Sequence, residues 1–329
     1  MPANLTPQYQ KAETAYRRAQ TAAEKVACLE EMLQLIPKHK GTEKLQADLK
    51  TRLKETKAEQ QAEAKAPKPG KTYKFPRQGA GTIIILGAPN AGKSRILKEL
   101  TNAEPAVAEY PFSTHEPMPG MMKWEDVVVQ LIDTPPVASG HVEPYLINFV
   151  RSADAVVLAF DGSGDDAPEQ TAEVLQLLHD RKTRLAEETG LSEEDLGVVL
   201  VKTLLVVTRG HDPDADARLD LLRELTEIPC PILKVDLDDE ASRESLRMAI
   251  YDLLGVMRLY TKKPGKPAAY ESPFTIRIGG TVEELAGEVH RDLAASLKHA
   301  RIWGTSALEG QTVGRDHVLE DRDMVELHG

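Results

Sequence analysis

Short apolar runs alternate with stretches of helical character from residue 82 to about residue 259. The apolar runs are rich in Val, Ile and Leu, which is typical of buried strands, and the stretches between them are long enough for helices. This alternation predicts βαβ units and a mostly parallel sheet in an α/β fold. Strands are predicted at 82–86, 127–132, 155–160, 204–208 and 232–235, and helices at 94–100, 145–151, 168–188, 217–227 and 240–254.

The chain before this region has a helical pattern. Residues 7–65 consist largely of Ala, Glu, Lys, Gln and Leu, which are strong helix formers. Two helices are predicted at 8–35 and 42–63, and Leu45, Leu49 and Leu53 form an apolar stripe on the second. Because a short connection forces neighbouring helices to fold back, we expect a helical hairpin over 1–66. A linker rich in Pro, Lys and Gly follows at 67–81.

A second segment rich in Pro and Gly predicts another linker at 260–272. Beyond it come a strand-like run at 274–278, a helix that begins at Thr281 with Glu284 three residues later, and apolar runs at 300–303 and 324–327. This order predicts a small β-grasp module over 273–329. The central α/β domain is then predicted to span 82–259.

The charges are unevenly distributed. Residues 1–80 carry 16 Lys and Arg against 9 Asp and Glu, whereas the rest of the chain carries 25 against 43. An acidic body with a basic arm suggests that an anionic polymer would meet the arm, although a solvated helical face has the same composition. No apolar stretch approaches 18 residues, the N-terminus is polar, and Cys28 and Cys230 fit no metal spacing. We therefore expect a cytoplasmic protein without a membrane partner.

A phosphate-binding loop is predicted directly after the first strand. The string there reads Gly87-Ala88-Pro89-Asn90-Ala91-Gly92-Lys93-Ser94, which is G-x-x-x-x-G-K-S between a strand and a helix. Glycines permit the tight path, successive backbone N–H groups point at the phosphates, and the helix N-terminus favours anionic charge. The predicted phosphate-binding residues are Gly87, Asn90, Ala91, Gly92, Lys93, Ser94 and Arg95.

A magnesium site is predicted beside this loop. Lys93 would reach the β- and γ-phosphates, and Ser94 would hold Mg²⁺. Asp133 ends the second apolar strand and would hold the ion through water. Thr114 lies in a segment without clear periodicity, and it would reach Mg²⁺ and the γ-phosphate when a triphosphate is bound. An ordinary Ser/Thr turn is the alternative for that segment.

Together, these strings resemble the Obg/DRG (developmentally regulated GTP-binding protein) family of translation-factor-class GTPases. The resemblance rests on the P-loop string at 87–94, Tyr-Pro-Phe-Ser-Thr at 110–114, Pro-Gly-Met-Met at 119–122 and Gln-Leu-Ile-Asp at 130–133. It extends to Ile-Pro-Lys-His-Lys-Gly-Thr-Glu-Lys-Leu at 36–45 and Leu-Tyr-Thr-Lys-Lys-Pro-Gly at 259–265. His-Arg-Asp-Leu at 290–293, Ile-Trp-Gly-Thr-Ser at 302–306 and Asp-His-Val-Leu-Glu-Asp at 316–321 are similar to a DRG-type TGS domain.

The resemblance implies guanine-nucleotide binding, Mg²⁺ and slow hydrolysis that acts as a timer on a partner. It also implies that Asn90 helps to bind K⁺. The implied partners are the ribosome, its rRNA or tRNA and an associated protein factor, with the basic N-terminal arm as the contact; DNA is not expected.

Two departures from the family pattern bear on function. The family's D-x-P-G is Asp133-Thr134-Pro135-Pro136 here, and proline lacks the N–H that the replaced glycine offers to the γ-phosphate. Val137 follows where Ras-like enzymes keep a water-orienting Gln, so weak intrinsic hydrolysis is expected. The guanine-reading N-K-x-D is Thr208-Arg209-Gly210-His211, and Asp212 serves only if the loop shifts by one residue. The predicted base-binding residues are Thr208, Arg209, Asp212 and Val235.

Two functions remain open from the sequence. The first is a GTP-binding protein with slow hydrolysis, stimulated by K⁺ or a partner and acting on translation, in which no side chain is assigned as a catalytic base. The second is a degenerate adaptor that binds RNA or protein through its hairpin and TGS modules, with altered or no base specificity.

Overall fold

The computed structural model describes residues 6–19, 22–37, 42–63, 73, 75–101, 116–137, 144–192, 195, 197–266 and 269–329. Its helices are α1 Pro7–Arg18, α2 Ala22–Leu35, α3 Glu43–Glu63, α4 Lys93–Leu100, α5 Pro144–Ser152, α6 Ala167–Asp180, α7 Ala215–Leu225, α8 Glu240–Leu254, α9 Val282–Val289 and α10 Arg291–Ser296. Its strands are β1 Thr82–Gly87, β2 Met118–Trp124, β3 Val127–Asp133, β4 Ala155–Asp161, β5 Thr183–Ala186, β6 Gly190–Leu191, β7 Val199–Thr208, β8 Ile232–Lys234, β9 Val256–Lys262, β10 Ala269–Arg277, β11 His299–Trp303, β12 Gln311–Val313 and β13 Met324–His328. Within the described residues, no helix is both long and apolar enough to cross a bilayer.

The central sheet has the strand order β2-β3-β1-β4-β7-β5, and β6 and β8 also pair with β7. The parallel pairs of this sheet join β1, β3, β4, β5, β7 and β8. Strand β2 pairs antiparallel with β3, and β6 pairs antiparallel with β7. Helices α5, α6 and α7 pack on one face of this sheet, and α4 and α8 pack on the other. The mostly parallel α/β fold predicted from the sequence is confirmed.

A separate C-terminal sheet has the order β10-β9-β13-β11-β12 and packs its apolar face against α9 and α10. The linker predicted at 260–272 is wrong, because β9 and β10 occupy most of that range as an antiparallel pair. Strand β9 follows α8 directly, since Gly255 ends the helix in the left-handed region at φ +61°. Pro264 and Gly265 lie in the turn that follows β9 rather than at a domain boundary.

Two predicted helices are shorter than expected. The helix predicted at 168–188 ends at Asp180, where Lys182 turns back to the His179 carbonyl with a left-handed φ of +55°. The chain then continues into β5 and β6. The helix predicted at 8–35 is divided into α1 and α2, because the backbone of Ala19 leaves the helical region after its N–H bonds to the last turn.

The N-terminal helices dock on the rest of the chain through α1. Arg17 donates from Nη2 to the carbonyl of Ala153 at 3.0 Å in a buried contact at the end of α5. Arg277 of the C-terminal sheet donates from Nη2 to Thr14 Oγ1 at 3.1 Å. Helix α1 therefore contacts both folded units that follow it in the chain.

A buried arginine joins the C-terminal sheet to the central domain. Arg258 donates from Nη2 to Asp321 Oδ2 at 2.8 Å within its own unit. Its Nη1 donates to Glu125 and lies 3.3 Å from Asp126 Oδ1, in the turn between β2 and β3. Tyr260 also donates to Asp126. We refer to Arg258 and its three carboxylates as the Arg258 clasp. Hydrogen bonding to Asp321 is the largest of the causes that raise the pKa of Arg258.

Candidate nucleotide-binding site

The loop at 87–94 leaves β1 and enters α4 through two glycines in unusual backbone conformations. Gly87 has φ +153° and Gly92 has φ +89°, in the region that side chains disfavour. A Cβ on Gly87 would lie 2.6 Å from the Ala159 carbonyl oxygen, and one on Gly92 would lie 3.0 Å from Thr208 Cγ2. Glycine is therefore required at both positions by the close packing of the loop on β4 and β7.

Lys93 is buried at the first position of α4, with 6% of its surface exposed. Its Nζ donates to the carbonyls of Gly87 at 3.1 Å and Ala88 at 2.7 Å. Burial lowers the pKa of Lys93 from 10.5 to about 8, against an opposing effect of nearby Asp133. The ammonium group thus lies within the loop, at a position where phosphate oxygens would replace carbonyl oxygens as its partners.

A hydroxyl and a carboxylate meet beside this lysine. Ser94 Oγ donates to Asp133 Oδ2 at 2.6 Å. Asp133 is fully buried, and its Oδ1 has no hydrogen-bond partner among the described residues. Burial raises the pKa of Asp133, while the bond from Ser94 and the charge of Lys93 oppose this rise. A hard cation such as Mg²⁺ takes oxygen ligands of this kind, so the donor set fits the predicted ion. Thr114, the third predicted Mg²⁺ ligand, lies outside the described residues.

The segment after β3 is tied to the P-loop. Thr134 Oγ1 donates to the Ile85 carbonyl at 2.8 Å, and the Val137 N–H donates to the Gly87 carbonyl at 3.3 Å. Pro136 lies between these two anchors and offers no N–H. Asn90 is exposed at the tip of the P-loop with φ +60°, which leaves its side chain accessible for the predicted K⁺.

A cleft opens beside the P-loop, where the carboxyl ends of β7 and β8 meet. Thr208 Oγ1 lies 3.0 Å from the Ala91 carbonyl and 3.2 Å from the Phe160 carbonyl, so it ties the P-loop to β7. Arg209 has φ +52° and pairs with Asp161 at 2.6 Å. The enclosed part of the cleft has a volume of about 20 Å³, roughly the space of one water molecule. Its lining residues are Gly92, Arg95, Thr208, Arg209, His211, Asp236, Leu237 and Asp238.

Arg95 is placed on the base side rather than the phosphate side of the site. Its guanidinium pairs with Asp238, which joins α4 to the loop after β8. Both side chains are substantially exposed. The phosphate role predicted for Arg95 stays a prediction.

Two predicted base-binding residues are absent from the cleft lining. Asp212 Oδ1 accepts hydrogen bonds from Arg218 Nη1 at 2.8 Å and from the Asp214 N–H at 3.0 Å. These contacts lower its pKa and hold the carboxylate in its own turn. Val235 is buried in the core, and its backbone bonds to Val207 and Gly210. The structure therefore places neither side chain in the lining of this cleft, and their base-binding roles stay predictions.

Four residues of the cleft are given no base-binding role by the sequence: His211, Asp236, Leu237 and Asp238. Three of them, Asp236, Leu237 and Asp238, lie in the loop between β8 and α8. The Asp-rich string at 236–239, directly after β8, indicates this part of the cleft. The loops that follow parallel strands lie together at one edge of the sheet.

Comparison with known proteins agrees with this geometry. Residues 82–201 match the model of a 50S ribosome-binding GTPase family, and residues 257–328 match that of the TGS domain. The fold and site therefore define a GTPase G domain joined to a TGS domain. An uncharacterized GTP-binding protein of Methanocaldococcus jannaschii is 28% identical, over 92% of each chain. The developmentally regulated GTP-binding protein 1 of Xenopus laevis is 26% identical, over 79% of this chain and 85% of that one.

A solved structure shares the fold. The YchF GTPase of Schizosaccharomyces pombe superimposes with a TM-score of 0.51 at 14% identity, and the match covers 78% of this chain and all of that one.

Proposed function

We propose that this protein binds guanine nucleotides with Mg²⁺ and hydrolyses GTP slowly. The buried arrangement of Lys93, Ser94 and Asp133 at the P-loop supports this proposal most directly. It combines a cation for the phosphates, a hydroxyl for the metal and a carboxylate oxygen with no other described partner. The names of the relatives, which describe GTP-binding proteins, point to the same ligand.

Hydrolysis would depend on positioning and electrostatics. No side chain of the described site is placed as a general base, and phosphoryl transfer needs little covalent chemistry from the protein. Lys93 would neutralise charge on the phosphates, and K⁺ held with the help of Asn90 would add positive charge. Pro136 removes a donor from the loop that faces the γ-phosphate, so we expect slow turnover.

The proposed partner is the ribosome, including its rRNA, tRNA and an associated factor, in the cytoplasm. The matched family is described as ribosome-binding, and residues 1–80 carry the basic excess that anionic RNA would attract. Membership of the Obg/DRG family or its YchF-like relatives is part of this proposal. It is supported by the joint presence of the G and TGS domains.

Calorimetry with Mg²⁺ and GTP, GDP or ATP tests nucleotide binding, and Lys93→Ala serves as the negative variant. We expect binding that Lys93→Ala abolishes. Turnover in K⁺ buffer and in Na⁺ buffer tests hydrolysis, and equal negligible rates in the presence of ribosomes would refute it.

An adaptor function is the second candidate. Two residues favour it: Pro136, and His211 at the position of the base-reading Asp. With these residues, a bound nucleotide would have only a structural role, or no nucleotide would bind. Absence of any nucleotide binding by the folded protein would support the adaptor.

A further inference from the structure

The base cleft holds an imidazole and a carboxylate in contact. His211 comes from the loop after β7, and Asp236 comes from the loop after β8. His211 Nδ1 lies 3.2 Å from Asp236 Oδ2. We propose that this pair selects guanine, with His211 Nε2 accepting the N1–H of the base and Asp236 fixing the imidazole that does so. This inference rests on the proposed function, because it assigns base selection within the same nucleotide site.

Asp236 is held in place by its own backbone turn. Its Oδ1 accepts the N–H of Asp238 at 2.9 Å, and its backbone N–H donates to Ser242 Oγ at 2.9 Å. The other carboxylate oxygen, Oδ2, is thereby directed to His211. Asp236 is partly buried, with 35% of its side chain exposed, whereas 65% of the His211 side chain is exposed.

The contact with Asp236 favours one of the two positions for the proton of a neutral His211 imidazole. A neutral imidazole carries one proton, and the nitrogen beside a carboxylate retains it as a donor. With the proton on Nδ1, Nε2 has a free lone pair and acts as an acceptor. Guanine presents a donor at N1, whereas adenine presents an acceptor there. The pair therefore attracts guanine and repels adenine.

The other carboxylates near the cleft are already engaged. Asp212 is held by Arg218 outside the lining, Asp238 is paired with Arg95, and Asp161 is paired with Arg209. Among the described lining residues, His211 and Asp236 are the two whose side chains pair with each other across the two loops.

A single nitrogen acceptor has a recognisable signature in ligand preference. A carboxylate with two oxygens accepts from both N1–H and the 2-amino group of guanine, so it rejects inosine, which lacks that amino group. Nε2 accepts from N1–H alone, and inosine retains N1–H. We therefore expect ITP to bind within about threefold of GTP, and ATP to bind roughly 10- to 100-fold more weakly, as the loss of one such hydrogen bond implies.

The experiment is calorimetry on the full chain with Mg²⁺ and GTP, ITP or ATP. The variants are His211→Ala and Asp236→Ala, with Asp212→Asn as the matched control and thermal melting as the check of folding. We expect both alanine variants to bind GTP and ATP alike while their ATP affinity stays unchanged. Asp212→Asn should behave as the wild type. The double variant His211→Asp/Asp236→Ser should create a preference for GTP over ITP that the wild type lacks.

Three outcomes would overturn the inference. Strong GTP binding with ITP at least about tenfold weaker would mean that a carboxylate reads the base. Loss of GTP preference in Asp212→Asn would assign the reading to that residue. In these first two outcomes the proposed nucleotide binding would stand. Failure of the folded wild type to bind any of the three nucleotides would refute the proposed function together with this inference.

Discussion

Replacing the P-loop lysine should stabilise the nucleotide-free protein. Burial lowers the pKa of Lys93 to about 8 from its usual 10.5. At about 1.4 kcal/mol for each factor of ten, the charged lysine costs the folded state about 3 kcal/mol relative to the unfolded chain. Lys93→Met removes this cost, but it leaves the carbonyls of Gly87 and Ala88 without the lysine donor. We therefore expect the free energy of unfolding at pH 7 to rise by about 1–3 kcal/mol.

The sign of the pH dependence follows from proton counts. Between pH 8 and 10.5 the unfolded chain keeps the Lys93 proton and the folded protein releases it. The unfolded state then binds more protons, so the contribution of Lys93 to the free energy of unfolding rises with pH across this window. Below pH 8 both states are protonated, and the full cost of the buried charge is present. Lys93→Met should abolish the rise.

Urea unfolding without nucleotide, at pH values from 7 to 10, measures both effects. Lys98→Met is the matched control, because Lys98 is exposed on the same helix. Our reasoning fails if Lys93→Met destabilises the protein more than the control does, or if the two variants share one pH profile. Phosphates should raise the pKa of Lys93 on binding, so GTP affinity should fall by up to about tenfold per pH unit above 8.

Three further predictions concern other parts of the molecule. Arg258→Met should lower the free energy of unfolding by about 2–3 kcal/mol, because it leaves partly exposed carboxylates without their cation. A smaller loss of unfolding free energy than in the exposed control Arg322→Met would contradict the role of the clasp. Asp133→Asn should abolish the Mg²⁺ dependence of GTP affinity, measured against EDTA; a retained dependence would remove Asp133 from the metal site. Charge reversal of exposed Lys50 and Lys54 on α3 should weaken co-sedimentation with ribosomes, and unchanged pelleting would discard the basic arm as the contact.

The fold and the phosphate side of the site could be predicted because their signals are local. The strands of the central sheet are continuous apolar runs, and the P-loop residues are adjacent in the chain. Asp133 meets Ser94 because β1 and β3 are neighbours in the sheet. A carboxylate at the end of one parallel strand then lies beside the loop that follows the next.

The base side could not be predicted in the same way. Its lining comes from loops that meet only after β7 and β8 have paired. The sequence offered Asp212 as the nearest carboxylate to the expected position, but the direction of its side chain depends on Arg218, which lies on α7. Asp236 is brought to His211 by tertiary pairing, and local periodicity carries no information about that contact.

The errors in secondary structure have a similar cause. Pro264, Gly265 and Pro267 suggested a linker, because turn residues have the same composition in a hairpin and between domains. The sequence predicts a helix where β5 lies, because the residues after Asp180 are good helix formers. Its pairing with β7 overrides that propensity.

The contacts of α1 set the order in which the molecule can be completed. Arg17 bonds to a carbonyl 136 residues later in the chain, and Thr14 receives its bond from a residue 263 positions later. At translation rates of about 5–20 residues per second, the first of these partners is made on the order of ten seconds after the helix. Helix α1 is thus synthesised well before the residues that bond to it, and these two contacts form only after those residues have been made.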